Sequence, residues 1–229
     1  MSHPVNVDES KWNSKRWGSE FIGPRRLSLL GSTLIDPVSA FDEIIGEDIT
    51  KLAVAANHTN AIKEGIYLAT RKYQSVTEYA DIDYRAKLSF DGATFPFGVG
   101  DCGIGVQLSS LSTSAYTQYI SIMIIRTPAP AWFVRKLTNG SAPVTVAITG
   151  NPSYMRLNSH FKVNGHRSTN IRVYDSTGAL LLEDAYVANL ALSASTELNS
   201  GIIIYDASAT ARTWQDVVLI EDFRKRRWS

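Results

Sequence analysis

The sequence predicts an all-β protein, an antiparallel β-sandwich with one or two short helices near its N-terminus. Three stretches carry that reading. From Asp81 to Phe90, the apolar Ile82, Tyr84, Ala86, Leu88 and Phe90 alternate with Asp81, Asp83, Arg85, Lys87 and Ser89. That period belongs to a strand with one buried and one wet face. Tyr119 to Ile125 is apolar on both faces except at Ser121, as a strand inside a two-layer core requires. Ile171 to Tyr174 and Ala179 to Glu183 flank Asp175-Ser176-Thr177-Gly178, a turn composition that closes a hairpin.

The remaining elements follow in chain order. Asp8 is placed to cap a short helical turn through Glu9, Lys11 and Trp12. Asp36-Pro37, then Val38 to Ile45, then Gly46, predicts a second helix, with a capping Asp, Pro at the first helical position and Gly as a stop. Arg26 to Leu30 lies between them and reads as a strand. Asp91-Gly92 supplies a turn, and further strands are expected over Gly103 to Leu108, Gln118 to Ile125, Ala131 to Leu137, Val144 to Ile148, Ile202 to Tyr205 and Val217 to Ile220. So many strands with so few helices imply a sandwich or jelly roll. No repeat or composition break divides the chain. The expected organisation is an N-terminal arm over 1–25, a sandwich over 26–223 and a basic C-terminal tail over 224–229.

Composition narrows the partners. Of 229 residues 44% are hydrophobic and 20% charged, enough apolar content for a core. With 23 basic against 22 acidic residues the net charge is +1, so no global field draws the chain to nucleic acid or an anionic membrane. The single cysteine, Cys102, excludes an internal disulfide and fits assembly in a reducing cytoplasm. The first residues lack the basic start and apolar run of a Sec signal peptide. The longest apolar run, Ile120 to Ile125, is too short to span a bilayer.

The order of motifs carries a resemblance. Asp8-x-x-Lys11-Trp12-Asn13 resembles the opening of concanavalin-A-like lectin and glucanase domains. Tyr79 to Phe90 followed by Phe95-Pro96-Phe97-Gly98-Val99-Gly100 is similar to their shape-defining strand and its Gly-rich successor. The hairpin from Ile171 to Glu183 and the closing Trp214 to Phe223 are similar to later elements of the same group. The resemblance implies a concanavalin-A-like jelly roll across most of residues 8 to 223. It leaves function open, because one fold hosts many functions.

Laminarinase-type members of that superfamily carry Glu-x-Asp-x-x-Glu on one strand, and retaining hydrolysis needs two carboxyl groups about 5 Å apart. Here Asp81 and Asp83 share a face, but Arg85 and Lys87 continue it where a further carboxylate belongs. Neighbouring cations lower carboxylate pKa values, which is wrong for a general acid. A solvated, salt-bridged face is expected instead, so that Lys87→Asp on it is tolerated whereas Leu88→Asp on the opposite, buried face destroys the fold. The four histidines show no ligand spacing, and Cys102 stands alone beside Asp101, so neither zinc nor a thiolate nucleophile is indicated. Asp91 and Asp101 bracket a Gly-rich loop suited to calcium, although such aspartates more often cap turns.

Carbohydrate sites use exposed aromatic faces. The candidates are Tyr116, Tyr119, Trp132, Tyr154 and Trp214, each weighed against core packing. The termini bring Trp12 and Trp17 at one end and Arg224, Arg226, Arg227 and Trp228 at the other, residue types that anchor interfaces. The function expected first is a non-enzymatic structural or attachment protein of a larger assembly, a virion capsid decoration or tail protein, with other protein subunits as partners and no cofactor. A carbohydrate-binding module that recognises a cell-surface glycan is the alternative. A divergent glycoside hydrolase ranks third.

Overall fold

The computed structural model describes residues 21–26, 33–35, 41–45, 51–54, 66–69, 79–96, 98, 100–112, 115–129, 131–138, 141–162, 165–188, 198–207 and 212–227. For 21–82, 109–118, 162, 198–199 and 222–227 that description is of the backbone course.

Every pairing among these residues is antiparallel. One sheet has six strands in the order β1 (Phe21–Arg26), β16 (Val218–Arg227), β6 (Tyr79–Ser89), β11 (Tyr154–Lys162), β12 (Gly165–Tyr174) and β13 (Leu180–Tyr186). A second has seven, in the order β10 (Val144–Ile148), β9 (Trp132–Thr138), β8 (Ala115–Arg126), β7 (Cys102–Ser112), β14 (Leu198–Asp206), β5 (Ile66–Ala69) and β2 (Thr33–Ile35). A small third sheet joins β15 (Arg212–Gln215), β4 (Lys51–Val54) and β3 (Phe41–Ile45).

The two large sheets close one core between them. Tyr84, Ala86, Leu88 and Phe90 point inward from β6 and its end, Met155, Leu157 and Phe161 from β11, Ile171 and Val173 from β12. Ile104, Val106 and Leu108 of β7, Ile120, Ile122 and Ile124 of β8 and Ile202 and Ile204 of β14 face them. Phe95 fills the end of the sandwich, edge-on to Phe90, Trp132 and Trp214 at centroid distances of 5.2, 4.9 and 6.3 Å. Strict alternation on both sheets makes this layer, as aligned sandwiches require. Residues 119 to 125 are buried on both faces, in agreement with the apolar run.

The hairpin turn behaves as its composition dictates. Asp175 Oδ1 accepts from the backbone N–H of Thr177 and Ala179 and from the Thr177 hydroxyl. Gly178 follows at φ 89°, a conformation that favours glycine. At the Asp91 turn, Oδ1 accepts from Ala93 N–H and Oδ2 from the Thr94 hydroxyl.

The expected helix over Val38 to Ile45 is not what forms at its C-terminal half. Phe41–Ile45 is strand β3, paired with β4 through Phe41 opposite Val54 and Ile44 opposite Leu52. Aromatic and β-branched side chains favour the strand, and a pairing partner ten residues on outweighs local capping signals. The capping Asp36-Pro37 and the Asp8 turn lie outside the described residues. The strand expected over Arg26 to Leu30 overlaps β1 only at Arg26, with 27–30 outside the description. Residues 21–25, read as arm, begin the six-stranded sheet, and residues 224–227, read as tail, continue β16 along β6, with Arg224 also paired to Phe21 of β1.

Lys87 departs from the wet-face expectation. It is 1% exposed although it points away from the core between the sheets. The reason lies on the neighbouring strand, where Tyr154 covers it.

Candidate functional site

The outer face of the six-stranded sheet is organised by register. Alternation sends Arg85 and Lys87 of β6, Tyr154, Arg156, Asn158 and His160 of β11, and Asn170, Arg172 and Tyr174 of β12 to the same side. Antiparallel pairing then aligns them in rows. Tyr154 lies opposite Tyr174, Arg156 opposite Arg172 and Asn158 opposite Asn170. Across the other edge of β11, Arg156 lies opposite Lys87, Asn158 opposite Arg85 and His160 opposite Asp83. The result is a tyrosine row, a cation row, an amide row ending in Arg85, and a His–Asp pair.

Contacts fix these side chains. The Tyr154 and Tyr174 rings stack at 4.7 Å with an interplanar angle of 11°. Lys87 Nζ sits 4.2 Å from the Tyr154 centroid, and the Arg156 guanidinium lies 5.8 and 5.5 Å from the Tyr154 and Tyr174 rings. Cations over aromatic faces are attracted by the ring quadrupole, more so where water is excluded. Arg172 donates from Nε and Nη2 to Glu183 Oε1 at 2.8 and 2.7 Å. His160 Nδ1 and Asp83 Oδ1 are 2.6 Å apart. Between the rows lies a pocket of about 310 Å³ lined by Arg85, Arg156, Leu157, Asn158, Asn170, Arg172 and Tyr174. Its lining holds three arginines and no carboxylate.

The electrostatics follow. Burial, with the Arg156 charge beside it, lowers the Lys87 pKa to about 8. Burial likewise raises that of Tyr154. Away from this face, burial pushes the Cys102 thiol up to about 12, and its Sγ lies 2.9 Å from Pro96 O. That is the setting of an inert core thiol.

The candidates read from the sequence are divided by the structure. Tyr154 stacks on Tyr174, which is the tyrosine that lines the pocket. Trp132 and Trp214 are 5% and 1% exposed and pack on Phe95, so neither offers a face to a sugar. Tyr119 is buried as well. Tyr116 lies on β8, and its side chain is outside the description. Arg224, Arg226 and Arg227 fall within β16, with Arg224 opposite Asp83 and Arg226 opposite Asp81. Trp12, Trp17 and Trp228 lie outside the described residues. Asp101 accepts the Ala207 N–H with its backbone oxygen at 2.8 Å. Among the described residues no three His, Cys, Asp or Glu side chains gather as a metal site, and no helix is long and apolar enough to cross a membrane.

Sequence reading missed Arg85, Arg156, Asn158, Asn170, Arg172 and Tyr174 as a set. A signal for half of it was present, because Tyr154, Arg156, Asn158 and His160 alternate with Met155, Leu157, Ser159 and Phe161. That pattern marks β11 and its polar face. Only the register of three strands assembles the rest.

Solved structures share this architecture. The chain is similar to the basic winged bean lectin crystallised with Tn-antigen, at 12% identity over 92% of this chain and 100% of the lectin, with a TM-score of 0.53. It is similar to a protein of unknown function from Shewanella oneidensis at 11% identity, over 97% and 95% of the two chains, with a TM-score of 0.50. A Bacillus licheniformis β-glucanase also matches, at 9% identity over 93% and 95%, with a TM-score of 0.40. No family model matches the sequence, and no curated protein matches it. The fold is the concanavalin-A-like jelly roll expected from the order of motifs.

Proposed function

We propose that the protein is a non-enzymatic attachment protein whose lectin-like sandwich holds a glycan on the outer face of β6, β11 and β12. The observation that carries this reading is the pocket lined by Arg85, Arg156, Asn158, Asn170, Arg172 and Tyr174. Asparagine amides offer a donor and an acceptor together, arginines offer several donors, and both match the paired hydroxyls of a sugar. Strands hold these groups rigidly, so little ordering is required on binding. Tyr174, stacked on Tyr154, lines one end.

The non-catalytic part rests on Asp83. This carboxylate of β6 is engaged by His160, which lies opposite it, and stands two residues from Arg85 on the same strand, whereas retaining hydrolysis needs two carboxyl groups about 5 Å apart, one of them protonated. The setting we propose is a larger assembly such as a virion, in which the sandwich contacts a host-surface glycan without a cofactor. Support for the assembly comes from Trp12 and Trp17 in the sequence, a residue type that anchors interfaces.

A glycan array with the full chain tests the reading, followed by calorimetry with the Asn158→Ala/Asn170→Ala double variant. Retention of a glycan family, weakened in the double variant, is the expected result. An array on which nothing is retained overturns glycan binding. Release of reducing sugar from laminarin or lichenan, abolished by Asp83→Asn, overturns the non-enzymatic part.

A further inference from the structure

We infer that the sugar held in this pocket is acidic, and that its carboxylate or sulfate sits between Arg156 and Arg172. The inference rests on the glycan-binding reading and specifies its chemistry. Lys87, Arg156 and Arg172 stand side by side on three adjacent strands, and Arg85 follows in the next row. Like charges directly opposite on neighbouring strands oppose pairing. The concentration is local, because the whole chain carries a net charge of only +1.

Compensation within the row is incomplete. Arg172 has Glu183, on the margin of the sheet. Arg156 rests on two tyrosine rings, and its buried Nε has no hydrogen-bond partner among the described residues. Lys87 is buried under Tyr154 and cannot turn away into solvent. Burial, and after it the neighbouring Arg156 charge, depresses the Lys87 pKa, and the second of these causes agrees with positive charge gathered there. An oxyanion bound on the Arg156 and Arg172 guanidinium groups supplies the missing charge, and guanidinium forks match planar carboxylates and sulfate edges. Asn158 and Asn170 remain for the hydroxyls. At about 310 Å³ the pocket lies at the small end of ligand sites, which suits one or two sugar units.

Calorimetry on the full chain compares four probes: an oligouronate, a sulfated oligosaccharide, a neutral β-glucan oligosaccharide of equal length, and sodium sulfate. We expect at least one acidic oligosaccharide to bind at least tenfold tighter than the neutral one, with affinity falling as salt rises. Arg156→Gln should weaken it about tenfold or more with the melting temperature unchanged, and the exposed Arg172→Gln gives the same readout should Arg156→Gln unfold. Which acidic probe binds identifies the oxyanion. Equal binding of the neutral oligosaccharide, or acidic binding indifferent to both arginine variants, overturns this inference and leaves glycan binding intact. Sodium sulfate binding as tightly as any oligosaccharide reduces the site to an anion site and overturns it too. Failure of every oligosaccharide sinks both readings.

Discussion

Lys87 Nζ lies 4.2 Å from the centre of the Tyr154 ring, on the side of the sheet that faces away from the core. A lysine read as solvated is thereby a packed side chain, and its charge is held in a partly dry site. Its aliphatic stem and its ammonium contribute in opposite directions, which substitutions can separate. Lys87→Met, which keeps the stem and sheds the buried charge, should stabilise at pH 7. Lys87→Ala should be about 2 kcal/mol less stable than Lys87→Met through the space it empties. Urea unfolding at pH 7 measures both. Equal midpoints for Lys87→Met and Lys87→Ala would return Lys87 to the surface.

The same residue makes stability depend on pH. Its pKa is about 8 when folded and 10.5 when free. Between those values the unfolded chain retains a proton that the folded chain has shed, so this contribution raises stability as pH rises from about 8 to 10.5. Below 8 the full cost of burying the charge is present. The stability of wild type relative to Lys87→Met should therefore improve by about 2 kcal/mol between pH 7.5 and 10. A constant difference across that range refutes the assignment.

His166 acts in the acid range. It is buried; its Nδ1 accepts the Ala188 N–H at 3.0 Å and its Nε2 lies 2.8 Å from Thr169 Oγ1. Nε2–H is then the donor of a neutral ring, and burial lowers the pKa from 6.5 to about 4. The unfolded chain takes up the proton first, so the stability held above about 6.5 is lost as pH falls towards 4. Relative to His166→Gln, wild type should lose about 2 kcal/mol between pH 7 and 4.5. Parallel acid profiles for the two proteins contradict this.

Arg212 and Asp206 form a buried pair, Nε to Oδ2 at 3.0 Å, with side chains 2% and 0% exposed. Removing one partner strands the other charge. Arg212→Met alone should cost about 3 to 5 kcal/mol, while Arg212→Met with Asp206→Leu should recover much of it. Chemical denaturation of the three variants checks the cycle, and additive losses would show that the two do not act as a pair.

Cys102 should report global unfolding. Its thiol is buried with a pKa pushed up to about 12, so a thiol-reactive chromophore should label the native protein far more slowly than the urea-unfolded chain. Fast labelling without denaturant would place Cys102 at an opening.

Alternation was sufficient to assign the strand face of Tyr84, Ala86 and Leu88, because a side-chain period of two is local and one buried face enforces it. The hairpin closed by Asp175 and Gly178 was equally legible, since turn chemistry is written in adjacent residues. The order of such elements was enough for the jelly roll. Phe41–Ile45 was not legible. Its capping signals favour a helix, and only pairing with Lys51–Val54 turns it into a strand. Trp132 and Trp214 look like sugar platforms in sequence, and only sheet-on-sheet packing places them against Phe95. The pocket shows the division most plainly. The sequence by itself determined an outward face for Arg85, and alternation around Arg156 and Arg172 carries the same information although it was not read as a strand face. Tertiary structure decided that they meet, because β11 must pair with β12 on one side and with β6 on the other, the latter across as many as 81 residues, from Asp81 to Lys162. A one-residue slip would have turned Arg156 or Arg172 into the core.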